Sequence, residues 1–262
     1  MTTGDHLDGW DVQEYGRSGS GVALRVFLAD GDGPVNGLLT AAQHGEEADT
    51  ALLARRLLER VPANASRWAV IPCLNPDGLL NGTRQNAAGV DLNRNFPAST
   101  WRSDASFTYP PGIAPARRVP ANRTNRSSPG AHAGSEPETQ ALMALVGRLQ
   151  PPLVVDLHSP LELIFVRGDV SPEVTDGLAR SAGLPVRHEF DGPSPGAFDD
   201  WLVERGVPAL VYEVEHAGLP ALCERHLPGL EALLRRAAAP VRSSEQARTD
   251  GGAVGGAGTR PA

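Results

Sequence analysis

Three side chains that follow apolar segments have the types and spacing of a metal-binding set. His44 and Glu47 are three residues apart just after one such segment, and His158 ends another. Two ligands at this spacing can close on one cation where a chain turns into a helix, and a catalytic zinc takes three protein ligands and keeps one position for water. The three residues therefore indicate a His₂Glu zinc site. A His-x-x-Glu pair such as His44 and Glu47 is by itself a weak signal of a metal site. For His158, the alternative interpretation is a half-buried histidine at a strand end with no metal.

A zinc site of this kind also needs a base. Zinc lowers the pKa of a bound water to about 7, and a base must take its proton and pass it to the leaving amine. Glu213 and Glu215 follow a further apolar segment. Since residues two apart on a strand share a face, both carboxylates point into the cleft or both point away. Apolar neighbours could raise the pKa of Glu213 toward the working range, and two solvated carboxylates are the alternative.

A long polar stretch, residues 75–97, follows the apolar segment 68–74. Within it, Arg84 and Arg94 carry guanidinium groups and Asn93 a carboxamide. Such groups suit a carboxylate or a developing oxyanion. Ordered loops that leave strand ends often carry catalytic groups, so we expect part of an active site here, with a polar surface loop as the alternative.

Strands and helices alternate along the chain that must position these residues. The fold class this predicts is α/β, a single domain with a mixed, mostly parallel central sheet flanked by helices. We expect a catalytic domain over 1–240, a disordered tail over 241–262, a loosely held segment over 1–15, and either a lid or an insertion over 98–135. Ser135 is the predicted N-cap of the helix at 135–149. Strands are predicted at 22–28, 35–42, 68–74, 153–158, 161–166, 184–190 and 208–214, and helices at 48–61, 135–149, 172–182, 196–205 and 220–238.

Charge and composition argue against nucleic-acid and membrane partners. The formal net charge of −7 gives no electrostatic support for nucleic-acid binding. Cys73 and Cys223 match neither a zinc set nor a redox pair, and we expect buried free thiols. The N-terminus lacks the features of a signal peptide, and no apolar segment approaches membrane-spanning length. We therefore expect a soluble cytoplasmic protein with neither nucleic-acid nor membrane partners, and make no prediction of oligomeric state.

Three motifs give a family resemblance: His-Gly-Glu-Glu at 44–47, Asn-Pro-Asp-Gly at 75–78 and Gly-Val-Asp-Leu-Asn-Arg-Asn-Phe-Pro at 89–97. They resemble the zinc metallocarboxypeptidases of the carboxypeptidase A type, and within these the murein peptide amidase subfamily. The resemblance extends from Tyr15 to the final helix. It includes the segments 83–87, 134–141, 195–198 and 223–227.

The resemblance implies one zinc ion per chain and a small peptide substrate. It implies that the metal ligands are His44, Glu47 and His158. Glu213 would be the general base and acid, with Glu215 as second choice. Arg84 would stabilise the oxyanion, and Asn93 and Arg94 would bind a substrate carboxylate. Members of the amidase subfamily cleave the γ-D-glutamyl–diaminopimelate bond of murein peptides during cell-wall recycling in the cytoplasm.

This sequence departs from the family pattern at two places. The loop before the helix at 196–205 has no tyrosine in 190–193, and Ser159 stands where close amidase relatives would have an acidic residue. A general zinc carboxypeptidase and an aspartoacylase-like deacylase of N-acyl amino acids are therefore alternatives, as is a carboxylate-binding protein without catalysis. Five arginines of the irregular segment either contact substrate carboxylates or are solvated: Arg102, Arg117, Arg118, Arg123 and Arg126.

Overall fold

The apolar segments of the chain form one mixed sheet in the computed structural model, which describes residues 7, 9–29, 33–105, 127–189 and 194–236. Within these residues the sheet has 8 strands in the order β1-β2-β4-β3-β5-β8-β6-β7. The predicted α/β class with a mixed, mostly parallel sheet is confirmed. The strands are β1 (Trp10–Arg17), β2 (Ala23–Ala29), β3 (Gly37–Ala41), β4 (Trp68–Ile71), β5 (Val154–His158), β6 (Leu163–Arg167), β7 (Val186–Arg187) and β8 (Ala209–Glu213).

The centre of the sheet consists of β3, β5 and β8, which lie side by side and run parallel. Their residues are almost entirely buried, as expected of strands covered on both faces. In the register of β5 and β8, His158 lies opposite Glu213. The carboxyl ends of the three strands therefore meet at one edge, where open α/β sheets present their ligand-binding groups.

Helices cover both faces of the sheet. Side chains of α1, α4 and α6 pack with Leu39 and Val155 on one face, and α3 and α5 pack with Leu38 and Val154 on the other. This alternation follows from the two-residue period of a strand. The helices are α1 (Ala48–Arg60), α2 (Pro76–Asn81), α3 (Pro137–Leu149), α4 (Pro172–Ala182), α5 (Phe198–Val203) and α6 (Leu219–Leu234).

The prediction of a loosely held N-terminal segment is wrong for its second part. Trp10 is buried, and its indole N–H donates a 3.2 Å hydrogen bond to the carbonyl of Val61. β1 is an edge strand with largely polar side chains that pairs antiparallel with β2. Its backbone pairing, which hydrophobicity does not reveal, makes it a strand.

The polar stretch 75–97, predicted to be a loop, contains regular structure. Asn75 caps α2 by accepting a 2.8 Å hydrogen bond from the backbone N–H of Gly78, and Gly82 ends the helix in the left-handed conformation (φ 62°). A single 3₁₀ turn, Leu92–Arg94, follows. The Asn-Pro beginning and the glycine ending are helix signals that could have been recognised.

Two further local predictions need correction. Ser135 does not cap α3: Glu136 occupies the N-cap position, and the Ser135 hydroxyl instead donates to the Glu136 side chain. Among the described residues of the strand predicted at 184–190, only Val186–Arg187 form a strand, and it pairs with β6.

Several predictions fall wholly or partly on residues that the structure does not describe. They are the tail 241–262, the part of segment 98–135 between 106 and 126, and the tyrosine-free loop 190–193. Both cysteines are free thiols, as expected, but they are half-buried and not buried as predicted. Among the described residues, no helix has the length and apolar character needed to cross a membrane.

Candidate metal centre and active site

Three predicted metal ligands come together at the central edge of the sheet. His44 follows β3, Glu47 is the N-cap residue of α1, and His158 ends β5. Nδ1 of His44 lies 2.7 Å from Oε1 of Glu47, and Nδ1 of His158 lies 3.0 Å from Oε2. One ligand atom from each residue lies within 4.8 Å of the other two, and all three side chains are buried. This arrangement can enclose a single ion.

The turn that carries His44 and Glu47 is packed tightly against α2. A Cβ placed on Gly45 would lie 1.9 Å from the backbone carbonyl carbon of Gly78, far inside van der Waals contact. Only glycine therefore allows this approach, which sets the direction of both ligands.

Each histidine has a carboxylate on its far side. Nε2 of His44 lies 3.2 Å from Oδ1 of Asp91, and Nε2 of His158 lies 2.9 Å from Oδ2 of Asp156. Thr40 in turn donates a 2.5 Å hydrogen bond to Asp156. A proton held on each Nε2 leaves Nδ1 as a lone-pair donor, and such carboxylate–histidine pairs orient metal ligands in proteins.

Neither of these carboxylates was predicted from the sequence. Asp156 is two residues before His158 on the same strand, so the shared face could have been recognised. Asp91 belongs to the Gly89–Pro97 motif, but only the folded path of the loop brings it to His44.

The electrostatics of this cluster suit a cation. Burial opposes ionisation of Glu47, but the two histidines outweigh it and hold the pKa of Glu47 below its usual value. Burial also lowers the pKa of His158, yet Asp156 and Glu47 outweigh it and raise that pKa well above the usual value. The negative field that favours a proton on His158 also favours a metal ion. With two nitrogen donors and one carboxylate, the residues present fit zinc.

Glu213 stands beside this cluster at the end of β8. Its side chain is buried, and Oε2 accepts a 3.2 Å hydrogen bond from the backbone N–H of Leu161. Burial raises the pKa of Glu213 to about 7; Glu47 adds to the rise and His158 opposes it. A carboxylate with a pKa in this range is suited to exchange protons near neutral pH.

Glu215 does not accompany Glu213, so the expectation that both share a face is wrong. β8 ends at Glu213, and the N–H of Val214 donates a 2.8 Å hydrogen bond to the carbonyl of His158. The Glu215 carboxylate instead lies 2.7 Å from Nε2 of His226 on α6. Strand alternation stops where the strand stops, so Glu215 cannot serve as an alternative base at this site.

Arg84 lies directly against the metal centre. Its side chain is buried, its Nε donates a 2.8 Å hydrogen bond to Asp91, and its Nη1 lies 3.3 Å from Nδ1 of His44. Burial lowers the pKa of Arg84, but Asp91 and Glu47 outweigh it and raise that pKa. The guanidinium is therefore held charged beside the predicted metal ligands.

Asn93 and Arg94 lie in the 3₁₀ turn beside the start of α5. The Asn93 side-chain oxygen accepts a 2.9 Å hydrogen bond from the backbone N–H of Phe198, and Nη1 of Arg94 donates to the Asn93 carbonyl at 2.5 Å. A Cβ on Gly196 would lie 2.6 Å from the Arg94 carbonyl oxygen, so the two segments are closely packed. The pKa of Arg94 is lowered mainly by burial, with Asp91 opposing.

Ser159 is accompanied by an acidic residue from another element. Its hydroxyl donates a 3.4 Å hydrogen bond to Oδ1 of Asp49, which lies in the first turn of α1. A carboxylate is thus present next to the third ligand, although not at the expected sequence position. Of the five arginines named for the irregular segment, Arg102 is exposed and pairs with Asp104, and the other four lie outside the described residues.

Comparisons with known proteins agree with this geometry. Residues 29–177 match the family model described as zinc carboxypeptidase. The chain is 34% identical over 224 residues to murein peptide amidase A of Escherichia coli K12. This alignment covers 86% of this chain and 89% of that protein. It is 31% identical over 221 residues to murein peptide amidase A of Vibrio campbellii, covering 84% and 86%.

Solved structures show the same fold. The crystal structure of a murein-tripeptide amidase from Escherichia coli O157 superposes with a TM-score of 0.77 at 33% identity, covering 86% of this chain and 92% of that one. Carboxypeptidase A from Helicoverpa armigera superposes with a TM-score of 0.60 over 86% of this chain and 66% of that one. At 19% identity, this second likeness concerns the fold alone.

Proposed function

Because this chain belongs to the zinc carboxypeptidase family, we propose that it is an amidase that cleaves the γ-D-glutamyl–diaminopimelate bond of murein peptides. The observation that carries the proposal is the meeting of His44, Glu47 and His158 with Glu213 at the ends of three adjacent strands. The murein peptide amidases named above align with most of the chain, which supports the substrate class.

We propose that one zinc ion per chain is held by His44, Glu47 and His158. Bound there, zinc would polarise the scissile carbonyl and lower the pKa of water, which is the chemistry this metal supplies in hydrolases. Asp91 and Asp156 would hold the two imidazoles in the tautomer that a metal ligand needs.

Glu213 is proposed as the group that moves the proton. It takes a proton from the attacking water and gives it to the departing nitrogen, because its raised pKa allows both steps near neutral pH. Arg84 stabilises the negative charge that develops on the carbonyl oxygen, since it is charged and buried beside the cluster.

Asn93 and Arg94 are proposed to bind a substrate carboxylate. Arg94 offers a planar fork of donors that matches a carboxylate. The Asn93 oxygen is occupied by the N–H of Phe198, so its amide group would donate. Both interactions act on the substrate ground state, and their loss should therefore affect binding more than chemistry.

The biological setting follows from the proposed substrate. Small murein peptides with free carboxylates are released when cell wall is degraded, and we propose that this chain acts on them during recycling in the cytoplasm. We further propose that residues 1–240 act as the catalytic domain.

The pairing of Ser159 with Asp49 supports an amidase-like pocket, because Asp49 supplies an acidic group beside the third proposed metal ligand, His158.

A substrate panel separates this proposal from other hydrolases on the same scaffold. The zinc-loaded protein is given L-Ala-γ-D-Glu-diaminopimelate, an ordinary peptide with a free C-terminus, and an N-acyl amino acid. Preferred release of diaminopimelate is expected. A preference for the second substrate would make the chain a general carboxypeptidase, and a preference for the third an aspartoacylase-like deacylase.

A further inference from the structure

Two chain segments outside regular strands lie next to Glu213: one contacts its side chain, and the other fixes the backbone that follows it. The first is the connection 159–162, from which Leu161 donates its N–H to Glu213 at 3.2 Å. The second begins at Val214, whose N–H donates to the carbonyl of His158 at 2.8 Å. Because Glu213 lies at the end of β8, its position depends on how firmly these two segments are held.

Arg225 of α6 connects these two segments. Its Nη1 lies 3.2 Å from Oε2 of Glu162 and 3.2 Å from Oε2 of Glu215, and its Nε donates to the Ala182 carbonyl at 2.7 Å. Glu162 has a left-handed backbone (φ 53°), which is unfavourable for a residue with a side chain and persists where surrounding contacts hold it. Arg225 therefore supports the connection that carries the Leu161 N–H.

His226, the next residue of α6, holds the other side. Its imidazole is fully buried, with Nε2 2.7 Å from Glu215 and Nδ1 2.9 Å from the Tyr212 hydroxyl. A neutral imidazole satisfies both contacts, since it can accept from the hydroxyl and donate to the carboxylate. Burial lowers the pKa of His226 against the effect of Glu215, which favours this neutral form. One ring thus fixes the residue before Glu213 and the residue two positions after it.

We propose that Arg225 and His226 are positioning residues that fix Glu213 for proton transfer, an assignment that rests on the function proposed above. They act through Glu162, Glu215 and Tyr212 and not by touching substrate. A displacement of about 1 Å in a catalytic group can cost on the order of 10²-fold in rate, so such bracing has a kinetic effect without contributing to substrate binding.

The test removes the contacts of Glu215 and Arg225 with alanine variants and compares these with conservative variants that keep part of each contact. Glu215→Ala and Arg225→Ala are compared with Glu215→Gln, which keeps an oxygen acceptor for His226, and with Arg225→Lys, which keeps the charge. His226 is tested through Glu215, because replacing a fully buried imidazole would leave two buried groups without partners. The matched control is Glu231→Ala: Glu231 lies on α6, as Arg225 does, and its ion pair is with Arg60 of α1 and not with Glu162 or Glu215.

We expect the two alanine variants to lose about tenfold or more in kcat, with KM and bound zinc close to those of the wild type. Glu215→Gln and Arg225→Lys should recover most of the loss, and Glu231→Ala should match the wild type. Independently of activity, hydrogen exchange at the Leu161 amide of the zinc-loaded protein should be faster in Arg225→Ala.

Unchanged kcat and unchanged exchange in both alanine variants would overturn the positioning role. A loss that the conservative variants do not recover, or that Glu231→Ala shares, would equally overturn it, because it would report general destabilisation. Glu213→Gln separates the two levels of the proposal. If that variant keeps its turnover, the proposed proton-transfer role of Glu213 fails and the positioning role fails with it; if it is inactive while both alanine variants are normal, only the positioning role fails.

Discussion

Arg84 donates a 2.8 Å hydrogen bond from Nε to Oδ2 of Asp91, while the other oxygen of the same carboxylate lies 3.2 Å from Nε2 of His44. Asp91 is fully buried, and its pKa is held well below the usual value because Arg84 and His44 outweigh the effect of burial. One carboxylate thus connects the proposed oxyanion donor with a proposed metal ligand.

Asp91→Asn should weaken zinc binding by about 10–100-fold, the usual effect of losing a carboxylate behind a ligating histidine. The amide keeps the size of the side chain but loses the charge that orients His44 and Arg84. Zinc affinity is measured by competition with a chelator. The matched control is Asp77→Asn, a buried aspartate that instead accepts a hydrogen bond from the Ser20 backbone. Wild-type zinc affinity in Asp91→Asn would contradict the role assigned to this residue.

Glu213→Gln should bind zinc normally and lose about 10²–10⁴-fold in kcat, the contribution typical of a general acid–base residue. The amide cannot take a proton from water, and it preserves the shape of the buried site. Steady-state kinetics together with zinc stoichiometry check this expectation. Near-normal turnover would show that another group moves the proton.

Arg94→Lys and Asn93→Asp should raise KM more than they lower kcat. Lysine loses the planar fork, and aspartate keeps the oxygen that accepts from Phe198 but places a negative charge near the substrate carboxylate. Hydrogen bonds to charged groups contribute about 1.5–3 kcal/mol, so KM is expected to rise about 10–100-fold. Arg102→Lys, at an exposed arginine, is the control. Losses confined to kcat would place these residues in the chemical step instead.

Gly45→Ala should destabilise the protein and reduce zinc affinity, because the added methyl group would lie 1.9 Å from the backbone of Gly78. Gly147→Ala is the matched control: it lies in α3, where an added Cβ meets nothing within 4 Å. The control should be neutral or stabilise by up to about 1 kcal/mol, since alanine favours helix. Thermal unfolding of both variants provides the measurement, and equal melting temperatures would refute the close packing argued for Gly45.

Features that repeat along the chain, or that depend on a few residue types with known chemistry, could be predicted from the sequence. Alternating apolar segments indicated the α/β class, and ligand spacing together with the family motifs pointed to His44, Glu47 and His158. Strand alternation could also have identified Asp156, two residues before His158. The same rule failed for Glu215, because the sequence does not show that β8 ends at Glu213.

Other features depend on tertiary contacts that no local pattern records. β1 was missed because its residues are largely polar and its strand form comes from pairing with β2. The approach of Asp91 to His44 depends on the path of the polar stretch around α2. Likewise, the Leu161 N–H reaches Glu213 only because of the conformation of the connection 159–162.

The most direct test of the account is metal removal and replacement with the murein tripeptide as substrate. The purified protein is stripped with a chelator, its zinc is counted, and release of diaminopimelate from L-Ala-γ-D-Glu-diaminopimelate is followed before stripping, after stripping and after adding zinc back. We predict about one zinc per chain, loss of activity on stripping, and recovery as this zinc is restored. Activity that persists in the stripped protein, or a protein that binds no zinc, would contradict the proposed metal centre.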